Sequence, residues 1–227
     1  MKKTLVSAVA VVVIALVLSE CAIAAVEDAP TIVIIGGAGS TNEQLDPLHK
    51  ALPGSVVIIP EKYYPLTSAA IVVRQQIIDK GITGKVILVG WSWGALLAHQ
   101  INGLYEGFVF AIVGIASPLD IAYVPSFMGA PFNPDDKDSK TPLYVIAGVK
   151  PGVEKKWYMT TSESDGIVDI DAAKAVGRRN LKGFAIVRGE DAGHWAIVTC
   201  PETIKQVVEW IAPFVASKQL FTQSLLF

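Results

Sequence analysis

Cysteine and histidine are scarce in this chain, and their scarcity removes whole classes of chemistry. Of the two cysteines, Cys21 lies in an N-terminal stretch that reads as removable, which leaves Cys200 with no disulfide partner. The mature chain is therefore expected to draw its stability from a packed core and not from covalent staples. No acid–base pattern surrounds Cys200, and it reads as a packing residue at a helix start. Three scattered histidines and one remaining cysteine supply no metal-ligand spacing, so no metal is expected. Charge is modest: 18% of residues are Asp, Glu, Lys or Arg, and the net charge is −2. That balance gives no reason to expect nucleic acid or an anionic membrane surface as a partner. No repeat, low-complexity tract or long charge run is present. Gly36-Gly37-Ala38-Gly39 is only loosely like a dinucleotide loop. No acidic residue ends the next strand to hold a ribose, so no cofactor is expected.

What the chain has is apolar mass. It holds 227 residues, 52% of them hydrophobic, enough for one domain with a well-filled core. The N-terminus needs separate handling. Lys2 and Lys3 precede an uninterrupted apolar run from Thr4 to Leu18, followed by Ser19-Glu20-Cys21 and Ala22-Ile23-Ala24. A basic start, a short apolar stretch and a small-x-small site describe a secretory signal peptide over residues 1–24, cut after Ala24. The expected protein is then secreted or otherwise extracytoplasmic, and residues 25–227 form the mature domain. The rival reading is an uncleaved anchor, for which the run is short against a span of ~20 residues. Leu18-Ser19-Glu20-Cys21 faintly resembles a lipoprotein site, but Glu20 stands where a small residue belongs.

Along the rest of the chain, apolar β-branched runs alternate with segments of helical period. Strands are expected at Thr31–Gly37, Ser55–Pro60, Lys85–Gly90, Phe108–Ala116, Leu143–Ala147 and Gly183–Val187. Helices are expected over 41–52, Ser68–Lys80, Trp93–Tyr105, Asp169–Arg178 and Pro201–Lys218. In the second of these Ile71, Val72, Ile77 and Ile78 mark an apolar face. In the last the face is Ile204, Val207, Val208, Ile211 and Val215, with Thr199 and Glu202 fitting a capping box. Strands apolar on both faces, alternating with helices, predict an α/β fold with a mostly parallel central sheet covered by helices on both faces. Ligands on such sheets bind beyond the carboxyl ends of the strands.

The informative pattern lies at one such end. Val86–Val89 runs into Gly90-Trp91-Ser92-Trp93-Gly94, and an alanine- and leucine-rich helical run follows. A serine nucleophile needs a sharp strand-to-helix turn that lifts its hydroxyl clear of the sheet. Glycine suits both crowded flanking positions. The helix that follows points its positive end at the site. A serine hydroxyl also needs a base. His49 lies between the first two strands and His99 lies about two helical turns beyond Ser92, so both read as structural or surface residues. His194 sits in Arg188-Gly189-Glu190-Asp191-Ala192-Gly193-His194-Trp195, a polar loop between a strand and the last helix. Asp165, at a tight turn in Ser164-Asp165-Gly166-Ile167-Val168, is the choice for the carboxylate that orients the imidazole. Its rivals are Glu163, Asp169, Asp171 and Asp191. Asp169 suits the cap of the following helix better, and Asp191 is close to His194 in sequence.

These residues carry a resemblance. The elbow Gly90-Trp91-Ser92-Trp93-Gly94, the order Ser, Asp, His, the acid loop and the final Gly193-His194-Trp195 are similar to those of the α/β-hydrolase superfamily, of the serine esterase and lipase type. The likeness covers residues 31–216 and implies an α/β-hydrolase fold. It implies an oxyanion hole from two backbone N–H groups. One belongs to Trp93 and the other to the loop Gly36–Ser40, best placed at Ala38, with Gly37 the alternative. Many relatives have His-Gly where this chain has Gly36-Gly37. Two tryptophans flank Ser92; Trp93 is expected to line the acyl side and Trp91 to pack beneath. Residues 117–141 are long and proline-rich. They contain Ile121, Tyr123, Val124, Phe127, Met128 and Phe132, and read equally as a small lid or pocket wall and as a packed surface excursion. The implied activity is hydrolysis of carboxylic esters with apolar acyl groups, the partner being a small-molecule or lipid ester, with membrane contact only transient. Other acyl-transfer enzymes, such as a thioesterase, acyltransferase or peptidase, share the same triad. A non-catalytic binding protein of the same fold stays open as another class.

Overall fold

The computed structural model describes residues 29–63, 65–119, 139–154, 161–174 and 180–224, with side chains as far as Val215. The expected signal peptide, and most of the expected lid including its named apolar residues, lie outside the described residues. By contacts the chain divides into two compact units. One is Thr31–Trp210, which holds the whole sheet. The other comprises Met1–Pro30 and Ile211–Phe227, of which the last helix supplies most of the described part.

The sheet unit runs β1 (Thr31–Ile35), α1 (Asn42–Ala51), β2 (Val56–Ile58), α2 (Leu66–Asp79), β3 (Val86–Trp91), α3 (Trp93–Leu104), β4 (Val109–Ile115), β5 (Leu143–Val149), α4 (Ile170–Ala173), β6 (Leu181–Arg188) and the start of α5 (Pro201–Ser224). The six strands form one sheet in the order β2-β1-β3-β4-β5-β6, and every neighbouring pair is parallel. A parallel pair cannot close with a tight hairpin, so each crossover carries its chain over a face of the sheet. The consequence for function is that all six carboxyl ends share one edge.

The expected double-sided burial holds in the centre. All of β3 is buried, as are four of the five residues of β1. Val33, Ile35, Val86 and Leu88 share one cluster with Val73 and Ile77 of α2 and Leu96 and Leu97 of α3. The alternate residues Ile32, Ile34, Ile87 and Val89 are buried as well. Each such side chain contributes roughly 1.5–3 kcal/mol by leaving water. At the edge the pattern fails. β6 keeps only one of its residues buried, because an edge strand has a neighbour on one side alone.

Two helical faces differ from expectation. In α2 the buried residues are Leu66, Ala69, Ala70, Val73 and Ile77, while Ile71 and Val72 stand 48% and 56% exposed. Spacing of three and four keeps the first set on one side. Ile71 and Val72 fall outside that stripe, and two small alanines let the helix lie close to the sheet instead. In α5, Thr203 and Val207 are buried and Val208 is exposed. The capping box expected there is also absent. The Thr199 hydroxyl donates back to the Ala196 carbonyl at 2.8 Å, and the helix starts with Pro201. Proline needs no N–H at that first position. A capping box does form at α1, where the Thr41 hydroxyl accepts from the Gln44 N–H and the Gln44 side chain accepts from the Thr41 N–H.

Candidate active site

Ser92 stands between the last residue of β3 and the first of α3, with φ 53° and ψ −119°. A non-glycine residue there carries about 1–3 kcal/mol of strain that the surroundings must hold. The sequence shows how they do so. The Ser92 N–H donates to the Ile115 carbonyl of β4 at 2.8 Å. A Cβ on Gly90 would run into the backbone of Gly94 and Ala95, and one on Gly94 into the Ile35 carbonyl. Strand, turn and helix are thus pressed together with no room for a side chain at either flank.

The acid loop is built from hydrogen bonds. Asp165 follows β5, and the loop is tied to that strand by the Lys150 N–H, which donates to the Ser164 carbonyl at 2.9 Å. One carboxylate oxygen, Oδ1, accepts from the N–H groups of Ile167 at 2.8 Å and Val168 at 2.7 Å. The turn closes through the Asp165 N–H, which donates to the Val168 carbonyl at 3.1 Å, with Gly166 at φ +99° between them. The other oxygen, Oδ2, lies 2.7 Å from His194 Nδ1. The histidine is held at its backbone too: its N–H donates to the Asp165 carbonyl at 2.8 Å. On the far side of the ring, Nε2 lies 2.9 Å from Ser92 Oγ. All three residues are buried. With Nδ1 donating to the carboxylate, Nε2 is left as the acceptor for the serine proton.

Comparison with known proteins bears on the frame around these residues. Neither a family model nor a curated protein sequence matches the chain. Solved structures do. An α/β-hydrolase enzyme from the metagenome of lagoon sediments of Mar Chica, Morocco, is 20% identical, with 82% of this chain and 92% of that one covered and a TM-score of 0.55. An esterase of Thermogutta terrifontis is 13% identical, covers 82% and 91%, and has a TM-score of 0.58. The thioesterase RedJ of the prodiginine pathway of Streptomyces coelicolor is 12% identical, covers 82% and 91%, and has a TM-score of 0.52. The chain has the α/β-hydrolase fold.

Within this α/β-hydrolase fold, the loop after β1 and the start of α3 meet beside Ser92. Trp93 opens α3, so its N–H is one of the first-turn donors that no carbonyl of the helix can reach. Among the described residues no backbone carbonyl accepts from the Ala38 N–H. Gly37 lies against the elbow; a Cβ there would stand 2.9 Å from the Trp91 carbonyl oxygen and 3.0 Å from Ser92 Cβ.

The rival residues go elsewhere. His99 is buried within α3, and His49 Nδ1 lies 2.8 Å from the Ser55 hydroxyl at the end of α1. Glu163 pairs with Arg188 at 2.8 Å on the surface. Asp169 caps α4, accepting from the Ala172 N–H at 2.7 Å. Asp171 and Asp191 are exposed. Trp91 is buried, as expected, but it also acts on the site. Its indole Nε1–H donates to the His194 carbonyl at 3.1 Å, so the elbow itself helps to hold the histidine. Trp195, half exposed, stands edge-on to the rings of both Trp91 and His194, with centroids 5.7 Å away in each case. Trp93 is half-buried against the core cluster. A cleft of about 570 Å³ bounded by Lys150, Val153, Ile167, Glu190, His194 and Trp195 opens on the histidine side.

Sequence reasoning missed Tyr63. It lies between β2 and α2, and its hydroxyl donates to the Gly37 carbonyl at 2.7 Å. No sequence signal marks it, because the contact spans a whole crossover, from the end of β1 to the end of β2, and follows no motif.

Proposed function

We propose that the protein is a serine hydrolase that cleaves carboxylic esters of apolar acyl groups, acting outside the cytoplasm after the leader at residues 1–24 has been removed. The observation that carries the chemistry is the continuous chain Ser92 Oγ–His194 Nε2–Asp165 at 2.9 and 2.7 Å. Ser92 Oγ attacks the ester carbonyl carbon while its proton passes to His194 Nε2. Asp165 keeps the imidazole in the tautomer that accepts there and stabilises the imidazolium formed. The N–H groups of Trp93 and Ala38 receive the oxyanion, which develops at the positive end of α3. Collapse of the tetrahedral species expels the alcohol, protonated by His194, and leaves an acyl group on Ser92. Water, deprotonated by the same histidine, then releases the acid.

The esterase neighbour supports an ester substrate, and the neighbouring thioesterase favours a second reading in which the leaving group is a thiol. The triad serves both, because it touches the carbonyl and not the leaving group's identity. Ser92→Ala tests the shared chemistry. Turnover of p-nitrophenyl butyrate is expected to fall roughly 10⁴-fold or more, by analogy with other triads. Labelling by a fluorophosphonate is expected to vanish while thermal unfolding stays unchanged. Persistent labelling of the variant overturns the assignment. A panel of esters, thioesters and amides of matched acyl length then separates the two readings.

A further inference from the structure

The loop that follows β1 is rich in glycine, and hydrogen bonds hold it in place. Gly36, Gly37 and Gly39 occupy three of its positions. Peptide units flanked by glycine can rotate between orientations that a Cβ would forbid. The Gly36 N–H donates to the Ile58 carbonyl at 2.9 Å, and two further hydrogen bonds that resist that freedom end on one atom. The Gly37 carbonyl oxygen accepts from the Ser40 N–H at 3.0 Å and from the Tyr63 hydroxyl at 2.7 Å. The first bond is local to the loop and moves with it. The second comes from outside. Tyr63 belongs to the segment after β2, and its ring packs against the core cluster. β2 lies beside β1 with Ile58 opposite Ile35, so the two segments leave adjacent strands at the same edge.

The Gly37 carbonyl matters because of what shares its peptide plane. The next N–H along the chain, that of Ala38, belongs to the same planar trans unit and points the opposite way. Holding the carbonyl toward Tyr63 therefore fixes the direction of the Ala38 N–H. Resting on the serine-hydrolase reading above, we infer that Tyr63 is a positioning residue whose hydroxyl, by anchoring the Gly37 carbonyl, aims the Ala38 N–H at the oxyanion. It touches no reacting atom. Its contribution is that this donor is already oriented when charge develops, so no reorganisation is needed at that moment. Burial pushes the phenol above its ordinary range, partly opposed by the Ser40 hydroxyl, so Tyr63 stays a neutral donor at working pH.

Tyr63→Phe removes the hydroxyl and keeps the ring in the core. The test compares wild type, Tyr63→Phe, Tyr105→Phe as a tyrosine remote from the loop, and Ser92→Ala. Substrate is p-nitrophenyl butyrate, and active sites are counted by the end-point of fluorophosphonate labelling. Outright loss of an oxyanion donor costs about 10²–10³ in kcat, and here the Ser40 bond remains. The expected result is a fall in kcat per active site of roughly 10- to 100-fold for Tyr63→Phe, with KM within about twofold. Its thermal midpoint should move by no more than a few degrees, and Tyr105→Phe should match wild type. The inference is overturned if kcat per site in Tyr63→Phe stays within about twofold of wild type, if the loss falls on KM alone, or if Tyr105→Phe shows the same loss. A wild-type protein that neither labels nor depends on Ser92 overturns the serine-hydrolase reading itself, and this inference with it.

Discussion

Ser92 and His194 face each other across 2.9 Å, yet the segments that carry them are fixed by different means. The nucleophile is held by exclusion. Gly90 and Gly94 bring β3 and α3 so close that no further atom fits. The acid and the base are held by direction. Two amides fix one oxygen of Asp165, the Asp165 carbonyl holds the His194 N–H, and the Trp91 indole holds the His194 carbonyl. Close packing is all-or-none, because repulsion rises steeply and the interior transmits the strain. A hydrogen-bonded loop is graded, because each bond contributes about 0.5–1.5 kcal/mol net. The first arrangement should fail as a fold, and the second should fail as a catalyst.

The sharpest way to break the first side is Gly94→Val. The new side chain would collide with the Ile35 carbonyl, a backbone group at the carboxyl end of β1 that cannot swing aside as a side chain could. A loss of about 3 kcal/mol of stability is expected, and activity should disappear with the folded fraction. Urea unfolding followed by circular dichroism checks this. A variant with the wild-type midpoint would show that the elbow has more room than the structure gives it.

On the second side, Asp165→Asn should leave the fold standing and cost kcat roughly 10²–10⁴-fold, because it disturbs the tautomer and orientation of His194 without removing the base. Asp191→Asn, three residues from His194 but exposed, should stay within about twofold of wild type in kcat. Steady-state kinetics beside thermal unfolding separates the two. If only the Asp191 change cripples kcat, the acid is misassigned, although Ser92 and His194 would keep their roles.

A milder loss of activity is expected where the two halves join. Trp91→Phe removes the single donor from the elbow to the His194 carbonyl and leaves a gap in a fully buried site. A stability loss of about 1–3 kcal/mol is expected, with a few-fold drop in kcat measured at a temperature where the variant is fully folded. An unchanged kcat would mean that the indole bond supports the fold without tuning the base.

These two modes of fixing also explain how much was legible in the residues alone. Exclusion is local. It leaves a mark in a few consecutive positions, and Gly90-Trp91-Ser92-Trp93-Gly94 after an apolar run could be read as a strand, a sharp turn and a helix. The central strands were visible for a similar reason, since burial on both faces demands uninterrupted apolar residues. Which helical residues face inward was less visible. Ile71 and Val72 of α2 are as hydrophobic as Val73 and Ile77, but two small residues, Ala69 and Ala70, decided which side lies against the sheet. Thr199 looked like a helix cap, yet the backbone preferred Pro201 at the first position and used the hydroxyl for an earlier turn.

The sequence by itself determined an alternating α/β chain with a buried centre, a strained serine between two glycines, and a short set of groups from which a base and an acid could be drawn. Nearest-neighbour sterics and the periodicity of burial act over a few residues, and such information survives in the linear order. Only the tertiary structure decided that Asp165 and not Glu163, Asp169, Asp171 or Asp191 meets His194, that Trp91 reaches the histidine's carbonyl, and that Tyr63 reaches Gly37. Those contacts depend on parallel strands bringing distant loops to one edge of the sheet. Their partners are chosen by distance in space, for which the spacing along the chain carries no code.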